Sequence, residues 1–286
     1  MIKKYNLKND LIFKTFFSKK GNEQFLIDFL EGLLHIPIET IEIREEVNLE
    51  RLAQDEKGGS LDLQAKLNNG IIINIEMQMH NEYNMRERTS VYGAKVLARE
   101  TKRGTKYKQI EKIIMINILN YNLLEFDEYV SSTVTVLERH RECEVIDGIK
   151  YFFIELPKFR KENPDMNDKL NQWLALIDDT DRGKIEMAIE KNETIKKAAE
   201  EVDVLTGDEE IQRLAELRER WEMDRLDAIS KAAEEAAEEA AKQAAKETAR
   251  HEKNRIAKNM LNEKMPVELI VKVTGLTKEE VENIAK

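Results

Sequence analysis

The sequence has few of the residues that build disulfides, zinc sites and membrane spans. Its single cysteine, Cys143, excludes an internal disulfide and fits a reducing cytosol. The four histidines are scattered, so they offer no zinc-ligand spacing. No apolar run reaches transmembrane length, and no signal peptide, glycine-rich phosphate loop or nucleophile elbow is recognisable. We therefore expect a cytoplasmic protein that contains no structural zinc.

A net positive charge is also lacking, because acidic residues outnumber basic ones. The 286 residues carry a net charge of −10, so any DNA contact must come from a local basic patch or through a bound cation. Charged residues make up 36% of the chain, more than usual, which indicates long solvated helices. Hydrophobic residues make up 41%, enough for a packed core. The length leaves room for one sizeable domain and an appendage.

The most informative stretch is residues 61–79, which we predict to form a β-hairpin. Apolar side chains alternate along both arms, Leu61 to Leu67 and Ile71 to Met79, as they do in strands with one buried face. Asn68-Asn69-Gly70, between the arms, suits a tight turn with Gly70 in the left-handed conformation. Because a one-residue slip would flip every side chain, the alternation favours a single register.

This register places two acidic side chains face to face. Leu63 pairs with Ile75 on the apolar face, while Asp62 lies opposite Glu76 on the other face, with Gln78 beside it. Like charges in opposed positions destabilise a sheet, so something should compensate them. A divalent cation bound by oxygen ligands is the simplest candidate. The alternative is an ordinary exposed strand face, where single acidic residues are common.

These residues resemble the core of the PD-(D/E)xK nucleases, and more narrowly the Rpn branch of recombination-promoting nucleases, whose members are often labelled transposases. The motif consists of Asp62-Leu63 and the strand Ile73-Asn74-Ile75-Glu76-Met77-Gln78. The resemblance covers most of the chain and includes these further positions: Asn9 to Lys14, Arg86, Tyr92, Gly104, Tyr107, the isoleucine-rich run near 113–119, and residues 218–224. It implies a DNA endonuclease that depends on Mg²⁺ or Mn²⁺ and promotes recombination.

The resemblance also implies roles for individual residues. Asp62 and Glu76 would hold the metal, and Gln78 would be the third motif residue. Asp10, on an N-terminal helix, would complete the metal site, with Glu23 as the alternative; an N-cap role for Asp10 is equally expected. Gln78 replaces the lysine of the general superfamily, and an amide is neither a cation nor a general base near neutral pH. We therefore expect a variant mechanism in which Gln78 orients the attacking water.

A basic helix follows the hairpin. Residues 84–103 are predicted to form a helix that ends at Gly104, and this is the densest basic segment near the site. Three of its residues are candidate contacts to nucleic-acid phosphates: Arg86, Arg88 and Arg99. Solvation of an ordinary surface helix is the competing interpretation.

The expected fold class is α/β, with a mixed central sheet flanked by helices in a restriction-endonuclease-like core and a long all-helical C-terminal extension. Further strands are predicted within 40–50, 112–119, 133–138 and 151–156, and Asp147-Gly148 is predicted to turn between the last two. Helices are predicted to begin near Asn9 and at about Glu23.

Three regions are predicted along the chain. Residues 1–180 form the nuclease-like core, 181–256 an extended helical region with an Ala/Glu-rich spacer, and 257–286 a small helical module similar to a helix-turn-helix. In the last region Thr277 should cap a helix, with Glu280 completing a capping box. The module suits either DNA binding or self-association into a homodimer.

Two other functions are compatible with the residues. One is a catalytically inactive nuclease fold that binds DNA or supports assembly, which the acidic charge and the helical tail favour. The other is true transposition, which only the label given to the family supports.

Overall fold

The computed structural model of the chain describes residues 5–44, 62–101, 106, 109–146 and 148–284. Its strands are Ile41–Ile43 (β1), Leu63–Leu67 (β2), Ile72–Gln78 (β3), Ile113–Leu119 (β4), Val130–Ser132 (β5), Thr135–Leu137 (β6), His140–Ile146 (β7) and Ile149–Glu155 (β8). Its helices are Asp10–Ser18 (α1), Glu23–Leu34 (α2), Met85–Glu100 (α3), Leu156–Lys161 (α4), Lys169–Asp178 (α5), Arg182–Lys191 (α6), Glu193–Gly207 (α7), Glu209–Asn262 (α8), Val267–Thr274 (α9) and Lys278–Ile284 (α10).

Six strands form one mixed sheet in the order β1-β2-β3-β4-β8-β5. The central strands β3, β4 and β8 run parallel, and the outer strands pair antiparallel with their neighbours. Every residue of β4 is buried, as expected of a nearly continuous apolar strand that is covered on both faces. The predicted mixed α/β fold with a helical C-terminal region is confirmed.

The larger core lies on one face of the sheet. Ile73, Ile75 and Met77 of β3 pack there with apolar side chains of α1, α2, α5 and α7. Trp173 of α5 is fully buried, and its indole N–H donates to Asp28 Oδ2 at 2.8 Å, so its polar atom also has a partner.

Helix α3 packs on the opposite face of the sheet. Val96 of α3 forms a small buried cluster with side chains of β3 and β4, namely Ile72, Ile113 and Met115. Gly93 allows the helix to approach closely, because a Cβ atom at this position would lie 2.8 Å from the Tyr151 hydroxyl of β8. The polar side chains of β3 therefore point toward the face that α3 covers.

Two predicted segments differ from the structure. The strand predicted at 133–138 is β6, which pairs with β7 in a separate two-stranded sheet rather than joining the main one. The sequence of β7, His-Arg-Glu-Cys-Glu-Val-Ile, alternates polar and apolar residues only over residues 142–145, which is too short to predict a strand, and its first six residues are exposed. The helix predicted at 84–103 spans Met85–Glu100. Gly104, Asp147 and the second half of 40–50 lie outside the described residues.

The chain divides into two compact units, Met1–Arg220 and Trp221–Lys286. The first contains both sheets. In the second, the end of α8 packs with α9 and α10 around Ala257, Ile270, Leu276 and Val281. The predicted division into three regions stays a prediction. No helix in the described part of the chain is sufficiently long and apolar to cross a membrane.

The predicted capping box at the start of α10 is confirmed. The Thr277 N–H donates to Glu280 Oε2 at 2.8 Å, and the Glu280 N–H donates to Thr277 Oγ1 at 3.2 Å. These reciprocal bonds satisfy backbone and side-chain groups at a helix start, which explains why a seven-residue helix begins here.

Candidate active site

The predicted hairpin register is the one the structure adopts. Leu63 pairs with Ile75 and Ala65 with Ile73, and Gly70 has a φ of +87° in the turn. One step further along the same register, Asp62 precedes β2 and comes opposite Glu76. The carboxyl groups of Asp62 and Glu76 are therefore neighbours on the face covered by α3.

Glu76 is buried and strongly hydrogen-bonded through one oxygen. Its residue exposure is 2%, and its Oε1 accepts from Gln78 Nε2 at 2.7 Å. The same oxygen accepts from Arg88 of α3, at 2.9 Å from Nε and 2.6 Å from Nη2. Two elements, the strand and the helix opposite it, thus fix one end of this carboxylate.

The other oxygen of Glu76 suits a cation. Oε2 is buried and has no hydrogen-bond partner among the described residues, which is costly for an ionised group. With half-buried Asp62 opposite, the site offers hard carboxylate oxygens, the ligand type that Mg²⁺ prefers. In the ranges that the structure describes, no three His, Cys, Asp or Glu side chains are grouped to hold a metal. A cation bound by Asp62 and Glu76 would therefore complete its shell with water or amide oxygens.

Burial changes the proton affinity of this site. The pKa of Glu76 is raised from 4.5 to about 7, first by burial and then by the charge of Asp62, while Arg88 and Gln78 act to lower it. The pKa of Tyr121 is raised to about 12, mainly by burial and next by the charge of Glu76. A cation bound to Glu76 would displace a proton that the buried carboxyl otherwise retains near neutral pH.

Two family models match the chain. A family model described as PD-(D/E)XK nuclease family transposase matches residues 7–232, well over half of the chain, including Asp62, Glu76 and Gln78. The chain belongs to this family. A second model, described as Rpn/YhgA-like nuclease family, C-terminal HTH domain, matches residues 250–286. Neither the comparison with curated proteins nor that with solved structures found a match.

Asp10 does not join the carboxylate pair of this PD-(D/E)XK chain. Its Oδ2 accepts from Arg218 at 2.9 Å from Nε and 2.7 Å from Nη2, and Oδ1 accepts from the Leu11 N–H at 2.8 Å. The N-cap of α1 is Asn9, whose side chain accepts from the next helix N–H groups. The alternative residue, Glu23, accepts from the Gly21 N–H instead. A metal-site role for Asp10 stays a prediction.

The three candidate arginines of the family member differ in their surroundings. Arg88 contacts Glu76, and its guanidinium carbon lies 5.3 Å from the centre of the Tyr92 ring. Arg86 is exposed and donates to the Leu123 carbonyl at 3.5 Å. Arg99 is exposed near the end of α3. Of these three arginines, only Arg88 contacts a predicted site residue in the described part of the chain.

One residue of the PD-(D/E)XK strand has no role in the sequence-based prediction. Asn74 is 1% exposed, and neither its Nδ2 nor its Oδ1 has a hydrogen-bond partner among the described residues. It shares the face of Glu76, two residues away, and pairs with Gln64 of β2. The period-two pattern of the sequence places Asn74 on the same strand face as Glu76, and this signal was sufficient to predict that Asn74 lies at the site. Buried amides normally have partners, so Asn74 adds unsatisfied polar atoms beside the site.

Proposed function

We propose that this chain is a Mg²⁺-dependent DNA endonuclease of the cytoplasm, which hydrolyses phosphodiester bonds and accepts Mn²⁺ in place of Mg²⁺. The observation that carries the proposal is the Asp62–Glu76 pair, with Glu76 Oε2 buried and unpartnered among the described residues. Membership of a nuclease family supports the reaction class.

The reaction assigns a task to each residue of the site. A bound divalent ion would lower the pKa of water and neutralise charge that develops on the phosphate. Asp62 and Glu76 would hold the ion, and the amide of Gln78 would orient the attacking water. The water oxygen bonds to phosphorus while the bond to the leaving sugar oxygen breaks. The water proton goes to solvent, and the leaving oxygen gains a proton, so the products are a phosphate end and a hydroxyl end.

DNA is the proposed substrate because of the C-terminal module as well as the core. Residues 250–286 match a helix-turn-helix domain, a motif typical of DNA-binding proteins. In the core, exposed Arg86 and Arg99 can contact backbone phosphates along α3. Cleavage by such a protein would supply broken ends for recombination, which is the role we propose.

Plasmid cleavage tests the proposal. Supercoiled plasmid is incubated with wild type, Asp62→Asn and Glu76→Ala, each with Mg²⁺, Mn²⁺ or excess chelator, and with Glu87→Ala as an exposed control on α3. We expect wild type and Glu87→Ala to nick the plasmid only with metal, and the two site variants to lose at least about 100-fold in rate. Circular dichroism checks that each variant is folded.

A folded wild type that leaves plasmid and linear DNA intact with both metals would overturn the proposal. The second candidate, a catalytically inactive nuclease fold that binds DNA or supports assembly, would then account for the chain. The net charge of −10 and the long helical extension, together with the helix-turn-helix match, favour this candidate over transposition. True transposition requires joined DNA ends rather than cut ones, and sequencing of the products detects them.

We also propose a homodimer formed through the C-terminal helices. Within the second unit, Leu269 and Val273 lie one turn apart on α9 with exposures of 45% and 59%. A neighbouring copy would cover this apolar stripe. Light scattering should give twice the mass of one chain for wild type and a single-chain mass for Leu269→Glu/Val273→Glu; a monomeric wild type would contradict the proposal.

A further inference from the structure

The active site contains a positive charge that comes from a helix rather than from the motif strand. The lysine of the general PD-(D/E)XK motif is replaced by Gln78, whose amide cannot carry a charge. Arg88 of α3 instead places its guanidinium 2.6 Å from Glu76 Oε1, the oxygen that Gln78 also contacts. The Arg88 guanidinium and the Gln78 amide thus both bond to Oε1 of Glu76.

The guanidinium is held in a fixed position. Arg88 uses Nε and Nη2 toward Glu76, and its guanidinium carbon lies 5.3 Å from the Tyr92 ring centre. Its side chain is 20% exposed, so it lies at the edge of the buried site rather than in bulk solvent. A guanidinium has five N–H donors in a planar fork suited to phosphate oxygens, so Arg88 can bind Glu76 and a phosphate at once.

Charge balance distinguishes this arginine from a simple partner of Glu76. Asp62 and Glu76 together carry two negative charges, which a divalent cation neutralises. Arg88 then contributes one further positive charge, which matches the single negative charge of a phosphodiester. Hydrolysis adds negative charge at the phosphorus centre, and a preorganised donor beside that centre stabilises it.

We propose that Arg88 is a catalytic residue that supplies, from α3, the positive charge at the reacting phosphate which lysine supplies from the strand in the general motif. The inference rests on the nuclease activity proposed above. It assigns Gln78 to the positioning of Glu76 and water, and assigns the stabilisation of phosphate charge to Arg88.

Four variants test this assignment: Arg88→Met, Arg88→Lys, Gln78→Lys/Arg88→Met, and the control Lys95→Met. Lys95 is matched to Arg88 because its Nζ also lies 5.3 Å from the Tyr92 ring centre. Two properties are measured for each: single-turnover cleavage of duplex DNA with Mg²⁺, and Mn²⁺ affinity without DNA by electron paramagnetic resonance. The Mn²⁺ affinity shows whether Asp62 and Glu76 can still bind a metal ion, independently of cleavage.

We expect Arg88→Met to lose about 100-fold or more in cleavage rate, the usual effect of removing one charge-stabilising donor. Its affinity for Mn²⁺ should be unchanged or higher, because Asp62 and Glu76 remain and the positive charge of Arg88, which repels the ion, has been removed. Arg88→Lys keeps the charge but loses the planar fork, so its rate should lie between those of Arg88→Met and wild type. Gln78→Lys/Arg88→Met should regain at least about tenfold over Arg88→Met, and Lys95→Met should cleave as wild type does.

Three results would overturn the inference while leaving the nuclease activity intact. Arg88→Met that cleaves as fast as wild type shows that the charge is not used. Arg88→Met that loses Mn²⁺ affinity and cleavage together shows that Arg88 only shapes the metal site. If Gln78→Lys/Arg88→Met cleaves no faster than Arg88→Met, the lost positive charge does not explain the lost cleavage rate. A wild type without metal-dependent cleavage would instead refute the nuclease proposal, and this inference with it.

Discussion

Replacing Glu76 by glutamine should remove a large pH dependence from the stability of the metal-free protein. The folded-state pKa is about 7, against an ordinary value of 4.5. Between these values the native state keeps a proton that the unfolded chain releases. The protonated Glu76 therefore contributes its full stabilisation of the native state below the pKa of the unfolded chain. This contribution is lost as the pH rises through the pKa of the folded protein. At about 1.36 kcal/mol per pKa unit, the loss amounts to roughly 3 kcal/mol by about pH 8.

Urea unfolding in excess chelator measures this loss. Wild type, Glu76→Gln and the exposed control Glu87→Gln are compared at about pH 5 and about pH 8, so that other titrating groups cancel in the difference. The control should follow wild type, and Glu76→Gln should become more stable relative to both by roughly 3 kcal/mol at the higher pH. Saturating Mg²⁺ should remove most of this difference, because the ion binds the ionised carboxylate in the native state.

Parallel pH profiles for wild type and Glu76→Gln in chelator would refute the reasoning. Glu76 is 2% exposed, so solvent screening cannot account for a missing effect. Such a result would mean that water reaches the carboxylate in solution and that the site is more open than the structure shows. A difference that Mg²⁺ does not reduce would argue against Glu76 as a metal ligand.

Asn74→Leu should keep the free energy of unfolding unchanged or raise it by about 1 kcal/mol, because two unsatisfied buried atoms disappear; a loss above about 2 kcal/mol in urea would contradict this. Gly93→Ala should lower the Tm, since the added Cβ would meet the Tyr151 hydroxyl at 2.8 Å, and adding Tyr151→Phe should recover part of the loss. Asp10→Ala and Arg218→Met should show a coupling of about 1 to 2 kcal/mol in a double-mutant cycle of unfolding, whereas additive losses would indicate no ion pair.

The hairpin could be predicted because its information is local. Period-two alternation and the turn at Gly70 are sufficient to fix which side chains share a face, and the observed pairing of Leu63 with Ile75 follows from them. The opposed carboxylates follow from the same pattern. The strand β7 is not predicted for the converse reason, since its alternation covers only residues 142–145 and its first six residues are exposed.

The contacts that shape the site could not be predicted, because they depend on tertiary packing. Arg88 reaches Glu76 only because α3 docks on the polar face of the sheet, and its sequence neighbours Arg86 and Arg99 look equally suitable in the printed sequence. The partner of Asp10 lies 208 residues away on α8. No local pattern distinguishes an acid that pairs with a distant arginine from an acid that binds a metal.

The pairing of Asp10 with Arg218 delays the completion of the fold during synthesis. Helix α1 contacts β3, the strand that carries Glu76, and also α7, while its ion-pair partner emerges 208 residues after it. At ordinary translation rates this interval is on the order of 10 to 40 s. Phe16 and Phe17 of α1 can pack on Phe25 and Phe29 of α2 long before then, so it is the anchoring of Asp10 that waits for α8. The ion pair at the start of α1 can therefore form only after most of the chain has been synthesised.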